Sequence, residues 1–464
     1  SNGNSAGGIC VYGTLNMYGG IVAGNSSIRY GGGIFTSLGT VNLYDGIITH
    51  NTTGIDGAGV YVNGTVVSEV VQASGYLNMY GGIISYNRSS QYGGGIDFRT
   101  GGQGKIYGGE ISHNWTFNDS GGILVWSYCK LEIFGGKITE NEAHGANTGN
   151  SNCGAGILVG DNSTVIMNDG EITNNHMYSD INVLSTGGGI HVEGASQLIL
   201  NGGVIAGNTA ESTAGANGGG VYNDAGSYVY LGGGIKIYNN TANGRDSDLF
   251  LKNKVKLIIQ KKLFTKEEMA HIGIDLATNY SDTTFTLDFG GSGNSLANAT
   301  LLFFSNKANE VPTLKSGEVA FVSGTKATAY VTWSWQGDSS GSVNNKMTDI
   351  AVTYTGNPYT IKMQNNNFYK VGDAATASSF TAVLAGKYTF YTKENYLNPV
   401  FTFTILPKEV DIVWQHTDLI YNGVLQKPTA YIAEDSNCNV ITIGEKINSG
   451  SGYVATAISL SNSN

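Results

Sequence analysis

The chain has 464 residues, with 68 glycines against 5 prolines, 13% charged residues and a formal charge of −10. That balance argues against a nucleic-acid surface, because such affinity rests on clustered Lys and Arg, and the glycines lack the every-third-residue period of collagen. The length exceeds what one ordinary core supports, so two or more structural units are expected, and no apolar run reaches the roughly 18 residues that would span a bilayer.

Four cysteines, Cys10, Cys129, Cys153 and Cys438, show neither the paired spacing of a zinc site nor the density of a disulfide scaffold. They read as mostly free thiols, with Cys129 and Cys153 close enough in the repeat pattern to meet. The Gly/Asn/Ser opening carries no signal peptide. Together with an end inside a patterned segment, it leads to the expectation of a piece of a longer exported protein.

From Gly7 to Asn240 one unit recurs eight times. A glycine cluster leads to Ile or Val, a short alternating run follows, then a second Gly-Gly or Asp-Gly, then Ile-x-x-Asn. The first landmark falls at Ile9, Ile34, Val60, Ile96, Ile123, Ile157, Ile190 and Val221. The closing residue falls at Asn25, Asn51, Asn87, Asn114, Asn141, Asn175, Asn208 and Asn240. A period of roughly 25 to 35 residues whose apolar face cannot be buried alone predicts a solenoid of stacked coils. Within Leu77 to Asn87, Leu77 and Met79 alternate with Asn78 as in a half-buried strand, and Gly81-Gly82 permits a sharp bend.

The recurrent asparagines are expected to form an internal ladder, each amide bonding the same group one coil away while its backbone tolerates a left-handed turn. Tyr18, Tyr44, Tyr80, Tyr107 and Phe134 form an aromatic column, read first as coil-to-coil packing and second as a sugar-stacking strip. Glu110, Lys137 and Glu171 form a column of alternating charge about 4.8 Å apart.

These GGxI and Ile-x-x-Asn repeats resemble the right-handed parallel β-helices of the pectate-lyase-like class. They are similar in particular to the GGA-I and F-x-x-N repeats of polymorphic outer-membrane adhesins, with Ile in place of Phe. The resemblance covers residues 1–276 and implies an all-β, right-handed parallel β-helix. It carries little about activity, since lyases, hydrolases, epimerases and adhesins share that class.

Extra residues enter at 63–75 and, after the ladder Asn, at 143–153, 176–185 and 209–217. The last three share one junction and are expected to protrude side by side, which makes His144, His176 and Tyr178 candidate ligand-binding residues. Val255, Leu257 and Ile259 extend the pattern by one coil, Thr265-Lys-Glu-Glu268 has a capping-box helix start, and a closing strand is expected at 272–276. Residues 277–345 read as a β-rich cap protecting the solenoid end. Beyond them Tyr354-Thr-Gly is echoed by Tyr421-Asn-Gly. That echo defines two small all-β domains at 346–406 and, truncated, at 407–464, which resemble the Ig-like β-sandwich stalk repeats of bacterial, chiefly Gram-positive, surface proteins.

The best local constellation for chemistry is Ile96-Asp-Phe-Arg99, where alternation places Asp97 and Arg99 together on the outer face. Asp97 shares its column with Phe35, Tyr61, Leu124, Leu158, His191 and Tyr222, so the two stacked acids that glycoside hydrolysis requires are missing from it. Lys105 and Glu132 on neighbouring coils are the remaining companions for a catalytic reading. Asp45 and Asp169 fit ordinary Asp-Gly turns. His50 and His113 share a column without a third ligand, so no metal is expected there. Asp161 and the Asp246/Asp248 pair lack the closely spaced acidic loop of a calcium site, although calcium is the one cofactor left open.

The paired Arg motif of pectate lyases is missing, as are the Asn-Thr-Asp, Gly-His-Gly and Arg-Ile-Lys motifs of polygalacturonases. The expectation is therefore a non-enzymatic, monomeric adhesin-like protein, extracellular or anchored to the surface of a Gram-positive bacterium. It would bind a glycan or host surface protein, with neither nucleic acid as partner nor membrane insertion. The alternatives are a polysaccharide lyase or glycoside hydrolase acting through Asp97 and Arg99, and a structural spacer.

Overall fold

The computed structural model describes residues 6–324 apart from 146–151, 264–269 and 295–301, and only the strands from residue 325 onward. Contacts divide the chain into two compact units at Ala327/Thr328.

The first unit is a parallel β-solenoid. One coil shows the plan, with strands Ile96–Arg99, Gln103–Ile106, Glu110–Ser112 and Trp115–Thr116 on four successive faces. Each pairs in parallel with its counterpart one coil away. The first face runs from Ile9–Val11 to Leu249–Leu251, and all eight sequence landmarks are register partners along it. Ile34, Val60, Ile96, Phe98, Ile123 and Ile157 are fully buried along the axis. One or two apolar side chains per strand per coil, repeated on three faces, make a continuous core that no single coil has alone.

Glycines fall where the stack has no room. A Cβ on Gly156 would lie 2.5 Å from the Gly189 carbonyl oxygen and 3.0 Å from Asn175 Nδ2. Gly109, at φ +88°, makes the bend between the second and third faces. The left-handed turn before the fourth face belongs to the residue preceding the ladder Asn, not to the Asn itself: His50, Tyr86, His113, Glu140, Asn174 and Asn239 all have φ between 53° and 56°. In this column His50, Tyr86 and His113 stack at 5.3 and 4.7 Å, and His113 Nε2 meets Glu140 at 2.8 Å.

Parallel pairing continues past the boundary expected at residue 276. Strand His271–Leu276 joins the third face to the first, Thr286–Leu287 pairs with Leu257–Ile259, and Phe303–Ser305 pairs with His271–Leu276. The antiparallel hairpin Glu310–Lys315/Glu318–Ser323 follows, and Phe285, Phe289 and Phe303 fill the end of the core. The helix expected at 265–268 lies outside the described residues. No helix among those described is long and apolar enough to cross a membrane.

The second unit is all-β where it is described. Tyr330–Trp335 pairs antiparallel with Ser339–Asn344 and with Tyr359–Met363, which continues to Ser379–Ala382. Strands on both sides of residue 345 thus share a sheet. A second sheet orders Thr348–Thr353, Phe401–Leu406, Gly386–Thr392 and Phe368–Lys370.

Candidate functional site

The eight ladder asparagines hold the scaffold. From Asn51 to Asn240 they are fully buried. In each link one Nδ2 donates to the Oδ1 of the next at 2.9 to 3.0 Å, from Asn25 through Asn51, Asn87, Asn114, Asn141 and Asn175 to Asn208 and Asn240. The same Oδ1 also accepts the backbone N–H of the preceding Asn. Asp248 ends the series, its Oδ1 accepting from Asn240 N and Nδ2 at 2.8 and 2.9 Å and its Oδ2 from Asn306 Nδ2 at 2.7 Å. Burial pushes the Asp248 carboxyl up to about 7, against the pull of these donors.

With polar demand met inside, chemistry is left to the outer side of the first face, where three columns converge. The first is the Asp97 column, continued by Cys10 and Phe250. Two residues further along each strand come Asn63, Arg99, Trp126 and Gly160, then Glu193 and Asp224 on following coils. The third column precedes the glycines: Tyr30, Asp56, Tyr92 and Asp119 are linked by parallel bridges. It continues through the short parallel sheet of Asn152–Cys153, Ser185–Thr186 and Ala216–Asn217.

That sheet corrects the expectation of protruding loops. Where they are described, these insertions extend the fourth face at Glu142–His144, His176–Ser179 and Thr209–Ser212 and supply the strands Asn152–Cys153, Ser185–Thr186 and Ala216–Asn217 that wall the first face. The placement of Asp97 is corrected as well. Its side chain points out of the solenoid as alternation requires, yet it is 0% exposed. Arg99 Nε donates to Asp97 Oδ1 at 3.0 Å, and Arg99 Nη2 to Asp56 Oδ2 at 3.2 Å. Burial outweighs the guanidinium and pushes Asp97 up to about 8 and Asp56 up to about 6. Burial works against the Arg99 charge too, but the two carboxylates beside it hold it on. Asp97 is therefore a buried partner of Arg99 rather than a group presented to a ligand. Lys105 and Glu132 are register partners on the second face and do not join this group.

Between the columns opens a cavity of about 480 Å³ lined by Tyr92, Arg99, Asp119, Trp126, Cys153, His191, Glu193, Tyr222 and Asp224, among others. The Trp126 indole lies over Gly160, where a Cβ would come within 2.3 Å of the ring. Asp119 Oδ1 accepts the Cys153 backbone N–H at 2.7 Å, and burial pushes its carboxyl up to about 7. The His191 ring stacks on Tyr222 at 4.9 Å. Beyond Tyr222 a second cavity of about 740 Å³ is lined by Arg245, Asp246, Lys252 and Asp275 among others. Lys252 Nζ contacts Asp224 Oδ1.

His144, His176 and Tyr178 do come together, on the outer side of the fourth face. His144 stacks on Tyr178 at 4.5 Å and His176 lies 5.2 Å from it. His144 Nε2 meets Asp180 at 2.8 Å, and Trp115 alongside stacks under Arg88. These three residues are not among those lining the cavity. Cys129 and Cys153 are not joined by a disulfide.

The residues missed from sequence, Asp119, Trp126, Cys153, Glu193 and Asp224, sit at fixed offsets from the glycine cluster. The signal was available, because these columns change residue type from coil to coil while the Ile, Gly and Asn columns do not.

No protein-family model matches the chain, and neither the curated proteins nor the solved structures contain a match to it.

Proposed function

We propose that the solenoid is a glycan-recognition head that binds a neutral or amino-sugar oligosaccharide in the first-face trough, within an extracellular, adhesin-like surface protein whose C-terminal repeats are Ig-like stalk modules. The observation that carries this reading is the polar and aromatic lining of the cavity. Tyr92, Trp126 and Tyr222 supply ring surface, and Asp119, Glu193 and Asp224 supply acceptors for sugar hydroxyls. Tyr222 lines both cavities, so the trough runs along the axis. From the Arg99 coil to the Lys252 coil is five rungs, about 24 Å at about 4.8 Å each, which suits a chain of sugars. Arg99 is engaged by two carboxylates and Lys252 by Asp224, so little cationic charge is left for the acid groups of a polyuronate.

A glycan-array screen of the full chain, with and without calcium and followed by product analysis on every glycan bound, tests this reading. Trp126→Ala and Tyr222→Phe/Trp126→Ala should lose binding at least tenfold with the circular dichroism unchanged. Binding that survives both variants would refute the trough as the site.

A hydrolytic or lytic activity is the second reading. It is favoured by three carboxylates, Asp119, Glu193 and Asp224, around one cavity, which the isolated Asp97 column did not offer. Cleavage products lost in Glu193→Gln and Asp119→Asn would establish it over simple binding.

A further inference from the structure

We propose that Cys153, His191 and Glu193 form a binding site for one Zn²⁺-class divalent cation in the wall of the cavity, with an open coordination position facing its interior. The site goes beyond the glycan reading and does not depend on it.

The three ligand atoms, Sγ, a ring nitrogen and a carboxylate oxygen, all lie within 4.8 Å of one another. They come from two adjacent coils: Cys153 from the walling strand Asn152–Cys153, and His191 and Glu193 from the outer side of the next coil's first face. The independent sign of a missing partner is His191 Nε2. The residue is 1% exposed, and this atom has no hydrogen-bond partner. Its nearest acidic atom, Glu193 Oε2, stands 3.5 Å away, beyond good hydrogen-bond distance. A buried imidazole nitrogen left without a partner is destabilising, and a metal bond would satisfy it.

The surroundings accommodate the imidazole in the form a metal needs. Thr186 Oγ1 lies 2.9 Å from His191 Nδ1 and 3.7 Å from Cys153 Sγ. If the hydroxyl proton points to sulfur, its oxygen accepts the Nδ1–H, and the Nε2 lone pair is left facing Glu193. This is the outer-shell arrangement that orients metal-bound histidines. Stacking on Tyr222 holds the ring plane.

Ligand type selects the ion. Thiolate with imidazole excludes Ca²⁺ and Mg²⁺, which take oxygen ligands, and favours Zn²⁺ or a similar borderline ion. Three protein ligands leave the fourth tetrahedral position open, as in sites that bind water or a substrate oxygen. At Zn–ligand distances of about 2.0–2.3 Å the ligands must draw slightly closer. Glu193, at 30% side-chain exposure the most accessible of the three, is the one free to do so. Binding releases the Cys153 thiol proton to solvent and leaves the thiolate on the metal.

The test is titration of chelator-treated full chain with Co²⁺, followed by displacement with Zn²⁺. One equivalent should bind with a thiolate-to-cobalt charge-transfer absorption that Zn²⁺ abolishes. Cys153→Ser should lose that absorption, His191→Asn and Glu193→Gln should weaken affinity at least tenfold, and Cys10→Ser should leave it intact. Thr186→Val, which removes the hydroxyl beside His191 Nδ1 and Cys153 Sγ without touching the ion, should weaken affinity about 10–100-fold. Glu193→Gln, at a partly exposed position, keeps the test open if the buried substitutions impair folding. Absence of stoichiometric binding, or an absorption that survives Cys153→Ser, would overturn the site. Glycan binding measured with chelator present separates this failure from failure of the glycan reading.

Discussion

Truncating one rung in the middle of the asparagine ladder should cost far more than truncating the rung at its end. Asn141 Nδ2 donates to Ile111 O at 2.8 Å and to Asn175 Oδ1 at 3.0 Å, and its Oδ1 accepts from Asn114 N and Nδ2, both at 3.0 Å. In Asn141→Ala the Asn114 N–H, one Asn114 Nδ2 proton and the Ile111 carbonyl lose these partners in a fully buried place. At about 1–3 kcal/mol for each orphaned group, and with the Asn114 amide keeping its bond to Ile84 O, the loss should be about 3–6 kcal/mol. That is a large share of the total for a typical domain. Asn25 begins the ladder, is only partly buried, and donates to Asn51 Oδ1 at 2.9 Å and to the exposed Ala23 O. Asn25→Ala should therefore cost about 1 kcal/mol. Urea denaturation of the full chain, followed by circular dichroism, measures both. If Asn141→Ala falls within about 1 kcal/mol of the parent, or matches Asn25→Ala, the ladder is incidental and apolar stacking alone holds the coils.

Three further outcomes are expected. Gly156→Ala should lose about 2–3 kcal/mol by overpacking, while Gly13→Ala, whose Cβ would meet nothing within 4 Å, should be neutral in the same denaturation. Arg99→Met strips the cation from Asp56 and Asp97, whose folded values already lie above the carboxylate range. The folded state then holds protons the unfolded chain has released, so stability is retained below about pH 4 and lost as pH rises through the folded values; thermal melts should place the variant near the parent at acid pH and about 3–5 kcal/mol below it at pH 8. Tyr80→Ala breaks two stacks, to Tyr44 at 4.8 Å and Tyr107 at 5.0 Å, and should cost about 1–3 kcal/mol without changing glycan binding on the array.

The last expectation follows from how the aromatic column is built. Successive rings lie within 9° of parallel, so each interior ring has both faces covered by its neighbours and offers only an edge to solvent. A sugar stacks on a ring face. Only the two end rings, Tyr18 at 72% exposure and Phe134 at 39%, stack on one side alone, and a strip of edges between them is a packing device. Trp126 is placed differently: the next coil contributes glycine at its register position, and the indole lies flat over it beside the cavity.

The same contrast explains what could be read from the sequence. Ile34, Val60, Ile96 and Ile123, the glycines and the asparagines repeat because each residue's neighbour is its own copy one coil away; identical side chains packed at one spacing leave a period in the chain. Asp97 and Arg99 were found because alternation along one strand is local. Their burial was not, since it depends on Asp56, Tyr61 and Tyr92, which the adjoining coil and the column ahead of the glycines bring beside them. Cys153 and His191 are 38 residues apart in the numbering yet face each other because one precedes the glycine cluster and the other follows it in the next coil. A stack of near-identical coils spends its recurrent positions on holding itself together, so recognition chemistry has to sit where the recurrence breaks. In this chain the recurrence breaks in three adjacent columns, and those columns line one trough.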